Sequence, residues 1–188
     1  TLVFTLLLLG SLRPLLAQTI KLEGDVWAPY VMDSASGNKG FMVDVAELAL
    51  TRAGYRVSFS AVPWTRALIN AENGDADGVV GIYFSQARAK SFVVPDEEIG
   101  ISVNKLFTRK ESSWQYTGLR SLDSMKLAVI ADYDYGELNP YLEMLKNEHP
   151  ANLQVSRGND VLQQNLRMLM AGRVSVVVED PVVVNYVT

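Results

Sequence analysis

The strongest constraint on the fold is a local pattern that occurs twice along the chain. Residues 68–81 contain a helical segment, Gly74 and then a short apolar segment, and residues 166–178 repeat this order around Gly172. A glycine directly after a helix favours its termination, and a short apolar run beyond it is typical of a buried strand. The repetition predicts two similar α/β lobes instead of one long sheet.

Strands and helices are predicted to alternate within each half of the chain. The predicted strands cover residues 19–26, 56–61, 77–81, 126–131, 152–156 and 174–178. The predicted helices cover residues 41–53, 63–73, 135–147 and 159–171, and a further one begins at Pro181. This order is typical of parallel sheets covered by helices. Residues 92–107, which include Pro95 and three consecutive acids, are predicted to be an extended linker between the lobes.

Residues 1–17 have the character of a secretory signal peptide that lacks its basic start. Residues 1–9 carry no charge, and the apolar run is shorter than the roughly 20 residues that span a membrane. Ala17 supplies the small residue of a cleavage site. The alternative is a buried core helix, but no polar face recurs at helical spacing. We therefore expect export, and an exported chain without cysteine suits a bacterial periplasm.

Composition excludes several classes of site. The chain has no cysteine and a single histidine, His149, so disulfides, thiolate metal sites, cysteine nucleophiles and multi-histidine metal sites are excluded. A formal net charge of −4 without a basic stretch argues against binding to nucleic acid. His149 follows a predicted helix, where a surface position favoured by the helix dipole is expected in preference to a catalytic base.

Two segments match the Ser-x-x-Lys spacing of acyl-enzymes. They are Ser36 with Lys39, in a predicted loop, and Ser102 with Lys105, in the predicted linker. That motif needs its serine at the start of a helix, and neither segment provides one. We expect no catalytic residue, no metal and no cofactor.

The residues that follow the predicted strands are aromatic, basic and acidic. In parallel α/β sheets, ligands bind beyond the carboxyl ends of the strands. Aromatic faces stack on ligands and attract cations, arginine binds carboxylates, and a carboxylate pairs with an ammonium group. The expected ligand-binding residues are Trp27, Tyr30, Trp64, Gly81, Tyr83, Arg88, Tyr133, Asp134 and Asp180.

Several of these residues also have a purely structural explanation. Trp27 and Trp64 could plug the edges of a lobe, and Arg88 could be an ordinary solvated cation. Asp134 and Asp180 each precede a predicted helix, where an aspartate is a common N-cap. Position along the chain does not decide between these explanations and ligand binding.

The sequence resembles the bacterial extracellular solute-binding proteins of family 3, the polar amino-acid-binding type. The resemblance covers about residues 19–186 and depends on the order of several motifs, none of them diagnostic alone. The motifs are Trp27-Ala28-Pro29-Tyr30, Gly40-Phe41-Met42-Val43-Asp44, Gly74-Asp75-Ala76-Asp77-Gly78, the loop 81–88, Leu119-Arg120-Ser121-Leu122-Asp123 and the segment 172–180.

The resemblance implies an α/β fold of the two-lobed, type II periplasmic-binding-protein kind. Each lobe would hold a mostly parallel sheet flanked by helices, and the lobes would close on a small molecule by hinge motion. The implied divisions are a signal-peptide remnant at 1–17, lobe 1 at 18–98, a hinge or crossover strand at 99–107 and lobe 2 at 108–188. It also implies a C-terminal truncation, because a return segment to lobe 1 is missing after Thr188.

The resemblance assigns roles to three residues, and the sequence departs from it at two places. Trp27 would match the stacking aromatic, Arg88 the carboxylate-binding arginine and Asp180 the acid that pairs with an α-amino group. Tyr83 replaces the hydroxyl residue of the carboxylate loop, and the Asp-Tyr-Asp segment 132–134 replaces Gly-Thr-Thr. We therefore expect a pocket more aromatic and more acidic than a typical amino-acid site.

Three functions remain open. The first is a monomeric periplasmic binding protein that captures a small polar, amino-acid-like or cationic ligand for the membrane permease of an ABC-type transporter. The second is a lyase or hydrolase on the same fold, similar to periplasmic dehydratases, with Glu179 or Asp134 as its acid or base. The third is the sensor portion of a membrane receptor, which a hydrophobic run of roughly 20 residues beyond Thr188 would indicate.

Overall fold

The computed structural model describes residues 17–33, 35 and 37–188, so the predicted signal peptide lies outside the described residues except for Ala17. The strands are β1 (Thr19–Gly24), β2 (Arg56–Ala61), β3 (Gly78–Val79), β4 (Lys105–Phe107), β5 (Leu127–Ile130), β6 (Leu153–Ser156) and β7 (Val176–Glu179). The helices are α1 (Phe41–Arg52), α2 (Trp64–Asn73), α3 (Asn139–Glu148), α4 (Val161–Met170) and α5 (Pro181–Val187). None of the helices in this span is long and apolar enough to cross a membrane.

The strands form two sheets, one in each half of the chain. The first sheet has the order β2-β1-β3, and both of its pairings are parallel. The second has the order β4-β7-β5-β6, with β4 antiparallel to β7 and the other pairings parallel. The predicted α/β class, with mostly parallel sheets flanked by helices, is confirmed.

The second sheet is buried on both faces, and β5 shows how. Leu127 and Val129 belong to a hydrophobic cluster that includes Leu145 of α3. Ala128, which points to the opposite face, belongs to a second cluster with Leu162 of α4. All four residues of β5 are buried, as expected for a central parallel strand covered by helices on both sides.

In the first lobe, α1 packs on the sheet. The side of α1 that is buried is not the side on which apolar residues recur most regularly in the sequence. Met42 and Val43 are buried and belong to the same cluster as residues of β1 and β2. Phe41, Val45 and Leu48, which carry the helical periodicity in the sequence, are 42%, 45% and 53% exposed. The periodicity therefore predicts the helix correctly, and tertiary packing decides which side is buried.

The boundaries in the first lobe differ from the prediction at three places. β1 ends at Gly24 and not at residue 26, and β3 covers only two residues of the predicted 77–81. Pro63 is the N-cap of α2 and not its first helical residue. Gly74 ends α2 with φ 78°, the left-handed conformation that glycine adopts without a steric penalty, as predicted.

The second lobe differs mainly where helices begin. The predicted helix 135–147 starts instead with a 3₁₀ turn, Gly136–Leu138, and α3 follows with Pro140 in its first turn. The N-cap of α3 is Leu138 and not Asp134, and proline is favoured in the first turn because it has no N–H to donate. α4 begins at Val161 and not at 159, because the backbone of Asp160 is left-handed with φ 52°.

The predicted linker 92–107 contains one regular strand, at its end. Its last residues form β4, which pairs antiparallel with β7 and so belongs to the second sheet. The last predicted strand, 174–178, is shifted to Val176–Glu179. Its shift places Glu179 within the strand and Asp180 directly after it, at the start of α5.

Candidate functional site

A cleft between the two lobes collects most of the predicted ligand-binding residues. The cleft is partly open to solvent, and the free space between its side chains has room for about one water molecule. The residues lining it are Asp25, Trp27, Trp64, Gly81, Tyr83, Arg88, Tyr133 and Asp134.

The parallel sheets explain why residues from distant segments meet here. Trp27 follows β1, Tyr83 follows β3 and Tyr133 follows β5, so all three lie beyond the carboxyl ends of strands. Trp64 is the first residue of α2, and Arg88 begins a 3₁₀ turn in the loop after β3. This is the edge at which open α/β sheets bind ligands.

Aromatic rings from both lobes line the cleft. The ring centroids of Trp27 and Tyr83 are 6.1 Å apart, with the edge of one ring facing the other. Trp64 of the first lobe and Tyr133 of the second make the same kind of contact at 5.8 Å. Trp27 and Trp64 are only 6% and 5% exposed, so each ring is held in one position.

Several side-chain hydrogen bonds connect the lobes at this cleft, and three of them are donated by the aromatic residues that line it. Trp27 Nε1 donates to Glu179 Oε1 at 2.9 Å, and Trp64 Nε1 donates to the carbonyl oxygen of Asp132 at 2.9 Å. The hydroxyl of Tyr133 donates to a carboxylate oxygen of Asp25. The lobes are therefore in direct contact, and side chains that line the cleft make that contact.

Arg88 is held by backbone oxygens and an aromatic face. One terminal nitrogen donates to the carbonyl of Tyr83 at 3.1 Å, and the other donates across the cleft to the carbonyl of Asp132 at 2.8 Å. The guanidinium carbon lies 5.5 Å from the centroid of the Trp64 ring, within the range of a cation–π contact. Burial lowers the pKa of Arg88, and the negative charges of Asp134 and Asp132 oppose that shift.

Two carboxyl groups at the interface are in a low-polarity environment. Burial raises the pKa of Glu179 to about 7, although the hydrogen bond from Trp27 acts in the opposite direction. Burial also raises the pKa of Asp25 to about 6, against the effect of the Tyr133 hydroxyl. Glu179 is 1% exposed, and among the described residues its Oε2 atom has no hydrogen-bond partner.

Glu179 also lines a second chamber. This chamber is also partly open to solvent and has room for about one water molecule. Most of its walls are apolar, and its polar lining consists of Glu179, Tyr133 and Gln163 among the described residues. Trp27 and Tyr133 line both chambers, so the two spaces are neighbouring parts of one interlobe region.

Two predicted ligand-binding residues, Tyr30 and Asp180, do not line the first chamber. Asp180 Oδ1 accepts hydrogen bonds from the backbone N–H groups of Val182 and Val183, so it is the N-cap of α5. Its carboxylate also accepts bonds from the hydroxyls of Ser102 and Tyr30, the latter at 3.4 Å. Asp180 therefore has the structural role of a helix N-cap. Its assignment as the acid that pairs with a ligand stays a prediction.

Asp134 lies in the cleft, but its carboxylate already has partners. Oδ1 accepts from the Gly136 N–H at 2.9 Å and from the Asn139 amide at 2.8 Å. Burial raises the pKa of Asp134, but these hydrogen bonds and the charge of Arg88 outweigh it, so the net shift is downward. Asp134 is therefore a poor proton donor near neutral pH.

Sequence reasoning missed Asp25 as a site residue and did not include Glu179 or Asp132 among the ligand-binding positions. Asp25 lay inside the predicted first strand, which continued to residue 26, so it was not considered among the residues that follow a strand. β1 in fact ends at Gly24. A charged residue after a glycine at the end of an apolar strand was the available signal. Asp132 contributes its carbonyl oxygen, and that role has no signature in the sequence.

Among the described residues, the remaining chemical motifs do not form a site. Ser36 lies outside the described residues, and the hydroxyl of Ser102 donates to Asp180. His149 is the C-cap residue of α3 and is exposed. Within the described part of the chain, no group of three or more His, Cys, Asp or Glu residues could hold a metal ion.

The sequence matches the family model of the bacterial extracellular solute-binding proteins, family 3, over residues 20–173. The chain belongs to this family. Its fold is shared by a histidine kinase sensor domain with similarity to periplasmic binding proteins, at 25% identity and a TM-score of 0.74. That match covers 90% of this chain and 71% of the sensor domain.

Two further solved structures have the same fold at lower identity. A putative L-cystine ABC transporter from Listeria monocytogenes has a TM-score of 0.72 and 19% identity, with 90% of this chain and 72% of that chain covered. The ancestral amino acid-binding protein AncCDT-1, a precursor of cyclohexadienyl dehydratase, has a TM-score of 0.66 and 19% identity, with 89% and 73% covered. No curated protein sequence matches the chain.

Proposed function

We propose that this protein captures a small polar solute between its two lobes in the periplasm and delivers it to the membrane permease of an ABC-type transporter. The observation that carries the proposal is the interlobe cleft, in which aromatic and charged side chains from both lobes face a common space. Membership of a solute-binding family and the putative ABC transporter among the structural matches support it.

The contacts across the cleft suggest how binding and closure are coupled. Hydrogen bonds of Trp27, Trp64 and Tyr133 join the first lobe to the second, and so do those of Arg88, Thr65 and Tyr30. A hydrogen bond contributes about 1 kcal/mol net, and a hydrophobic cluster that includes residues of both lobes adds to the contact between them. A solute that contacts both lobes adds its own binding free energy to the closed form and shifts the population toward it.

A sensor domain of a membrane receptor is the second candidate. The histidine kinase sensor domain is similar to this chain at 25% identity and favours this candidate. The ligand-binding step would be the same in both cases, and the difference lies in the partner that reads closure. Binding of the liganded protein to permease-containing vesicles would support the transport function.

Catalysis is a third candidate because AncCDT-1 is described as a precursor of a dehydratase. Glu179 would be its acid or base, since its raised pKa of about 7 suits proton transfer near neutral pH. Incubation of each bound solute with the protein, followed by mass spectrometry, tests this candidate. Formation of product would contradict a purely binding role.

Thermal-shift screening with amino acids, amines, organic acids and sugars tests the proposed function. A solute present at about 100 times its dissociation constant should stabilise the protein by about 2.7 kcal/mol. Trp27→Phe should weaken binding, because it removes the indole N–H that bonds to Glu179 across the cleft. Trp114→Phe is the matched control, since Trp114 is partly buried and packs against the core of the second lobe, away from the cleft. Absence of any stabilising solute would refute the proposal.

A further inference from the structure

One residue of the second lobe accepts hydrogen bonds from three residues of the first. Asp132 lies in the turn that follows β5. Its carbonyl oxygen accepts from Trp64 Nε1 at 2.9 Å and from a terminal nitrogen of Arg88 at 2.8 Å. Its carboxylate accepts from the hydroxyl of Thr65. Both the backbone and the side chain of this single residue therefore bond to the opposite lobe.

The backbone of Asp132 has a conformation that residues with a side chain rarely adopt. Its φ is 61°, in the left-handed region. Glycine adopts this region without a steric penalty, whereas aspartate carries a penalty that its short polar side chain keeps small. Aspartate nevertheless stands where the family resemblance has glycine. Such a conformation persists only where other contacts stabilise it.

The bond to Thr65 is the contact that the side chain of Asp132 adds. The bonds from Trp64 and Arg88 need only a carbonyl oxygen, which glycine would also supply. The bond from Thr65 needs the carboxylate, and it joins the two lobes. Because this pair is exposed, we expect its net contribution to be that of an ordinary hydrogen bond. The aspartate therefore stabilises the contact between the lobes in a way that glycine cannot.

The contact between Thr65 and Asp132 lies next to the cleft but does not form its lining. Trp64 and Tyr133, the neighbours of these two residues in the chain, both line the cleft, and so does Arg88. Thr65 and Asp132 are not among the residues that line it. The bond between them can therefore form in the closed protein with or without a solute in the cleft.

From these contacts we infer that Asp132 is a latch for lobe closure, a residue whose carboxylate bond to Thr65 favours the closed form without contacting the solute. The inference rests on the proposed function, from which it takes the opening and closing of the lobes. It adds a residue, outside the ligand-binding set, that sets the balance between the two forms.

Single-molecule fluorescence energy transfer between the lobes measures this balance. The chain has no cysteine, so Glu72→Cys on α2 and Glu148→Cys on α3 give one exposed dye site in each lobe. Without added solute, Asp132→Gly should lower the ratio of closed to open molecules by about fivefold, because it removes the carboxylate and keeps the carbonyl. Thr65→Val removes the other partner and should lower the ratio by a similar factor.

Two further substitutions separate the latch from the effect of glycine on the backbone. Asp160→Gly is the matched control, because Asp160 is also left-handed, with φ 52°, and its side chain makes no capping hydrogen bond to α4. This variant should leave the ratio of closed to open molecules unchanged. Asp132→Asn retains an acceptor oxygen and tolerates the left-handed backbone, so it should lower the ratio by less than Asp132→Gly does.

The outcomes separate the latch from the function beneath it. A ratio that falls in neither Asp132→Gly nor Thr65→Val overturns the latch, and so does an equal fall in Asp160→Gly. If a solute from the thermal-shift screen still stabilises the protein in that case, solute binding stands. If no solute stabilises the protein but both variants lower the ratio, the latch stands and solute capture is refuted. Thr65→Val leaves Asp132 in place, so it tests the latch even if Asp132→Gly does not fold.

Discussion

Replacing Glu179 by glutamine should change how the stability of the protein depends on pH. The carboxyl group is 1% exposed, and burial raises its pKa from an ordinary 4.5 to about 7. The folded protein therefore binds this proton more tightly than the unfolded chain does. By linkage, the free energy of unfolding contributed by Glu179 falls as pH rises from about 4.5 to about 7 and is level on either side.

The size of the effect follows from the interval between the two pKa values. At about 1.4 kcal/mol per pH unit, the interval corresponds to about 3 kcal/mol lost by the native protein across this range. Glutamine carries no titrating proton, so the variant does not show this loss. The other ionisable groups that interact with Glu179 are Asp25, Asp180, Tyr83, Tyr133 and Tyr135.

Urea unfolding at several pH values between 5 and 8, followed by circular dichroism, measures the effect. The quantity of interest is the unfolding free energy of Glu179→Gln minus that of the native protein, because the remaining carboxyls then largely cancel. This difference should rise by roughly 2 to 3 kcal/mol from pH 5 to pH 8. Glu143→Gln is the control, and its difference should be flat. A flat difference for Glu179→Gln would refute the reasoning.

Two predictions concern the backbone that supports the cleft. Gly40→Ala should destabilise the protein by about 2 kcal/mol or more in urea unfolding, because φ is 87° and a Cβ would lie 2.4 Å from the carbonyl oxygen of Tyr30. Unchanged stability would show that the loop relaxes freely. Asp180→Ala should cost about 1 kcal/mol through loss of the α5 N-cap, whereas Asp180→Asn should cost less because asparagine also caps helices. Equal costs for the two substitutions would contradict the capping role.

Secondary structure was predictable here because the local signals and the tertiary fold agree. β2 was predicted with its observed bounds, since its side chains alternate between the two faces of the sheet. The periodicity of apolar residues predicted α1 but not its buried side. Apolar residues occur on more than one side of this helix: Met42 and Val43 are buried, whereas Phe41, Val45 and Leu48 are exposed. A helix that is apolar around most of its circumference gives no local signal for orientation.

The candidate site was predictable in place but not in chemistry. The rule that ligands bind beyond the carboxyl ends of parallel strands led to Trp27, Tyr83 and Tyr133, which line one cleft. It could not show that Arg88 bonds to the carbonyl of Asp132, because that contact joins two lobes through backbone. Among the described residues, the Oε2 atom of Glu179 has no hydrogen-bond partner. This depends on how the surrounding side chains pack, which the sequence does not show.

Closure and ligand recognition depend on the same few side chains in this protein. Trp27 and Glu179 form one interlobe hydrogen bond, Tyr133 and Asp25 form another, and all four residues line one of the two chambers. A substitution that adapts one of them to a different solute therefore also alters the free-energy difference between open and closed lobes. Affinity measured for such a variant contains both contributions, because the apparent dissociation constant scales with the fraction of molecules that can close. Ligand specificity and lobe closure consequently cannot change independently at these positions.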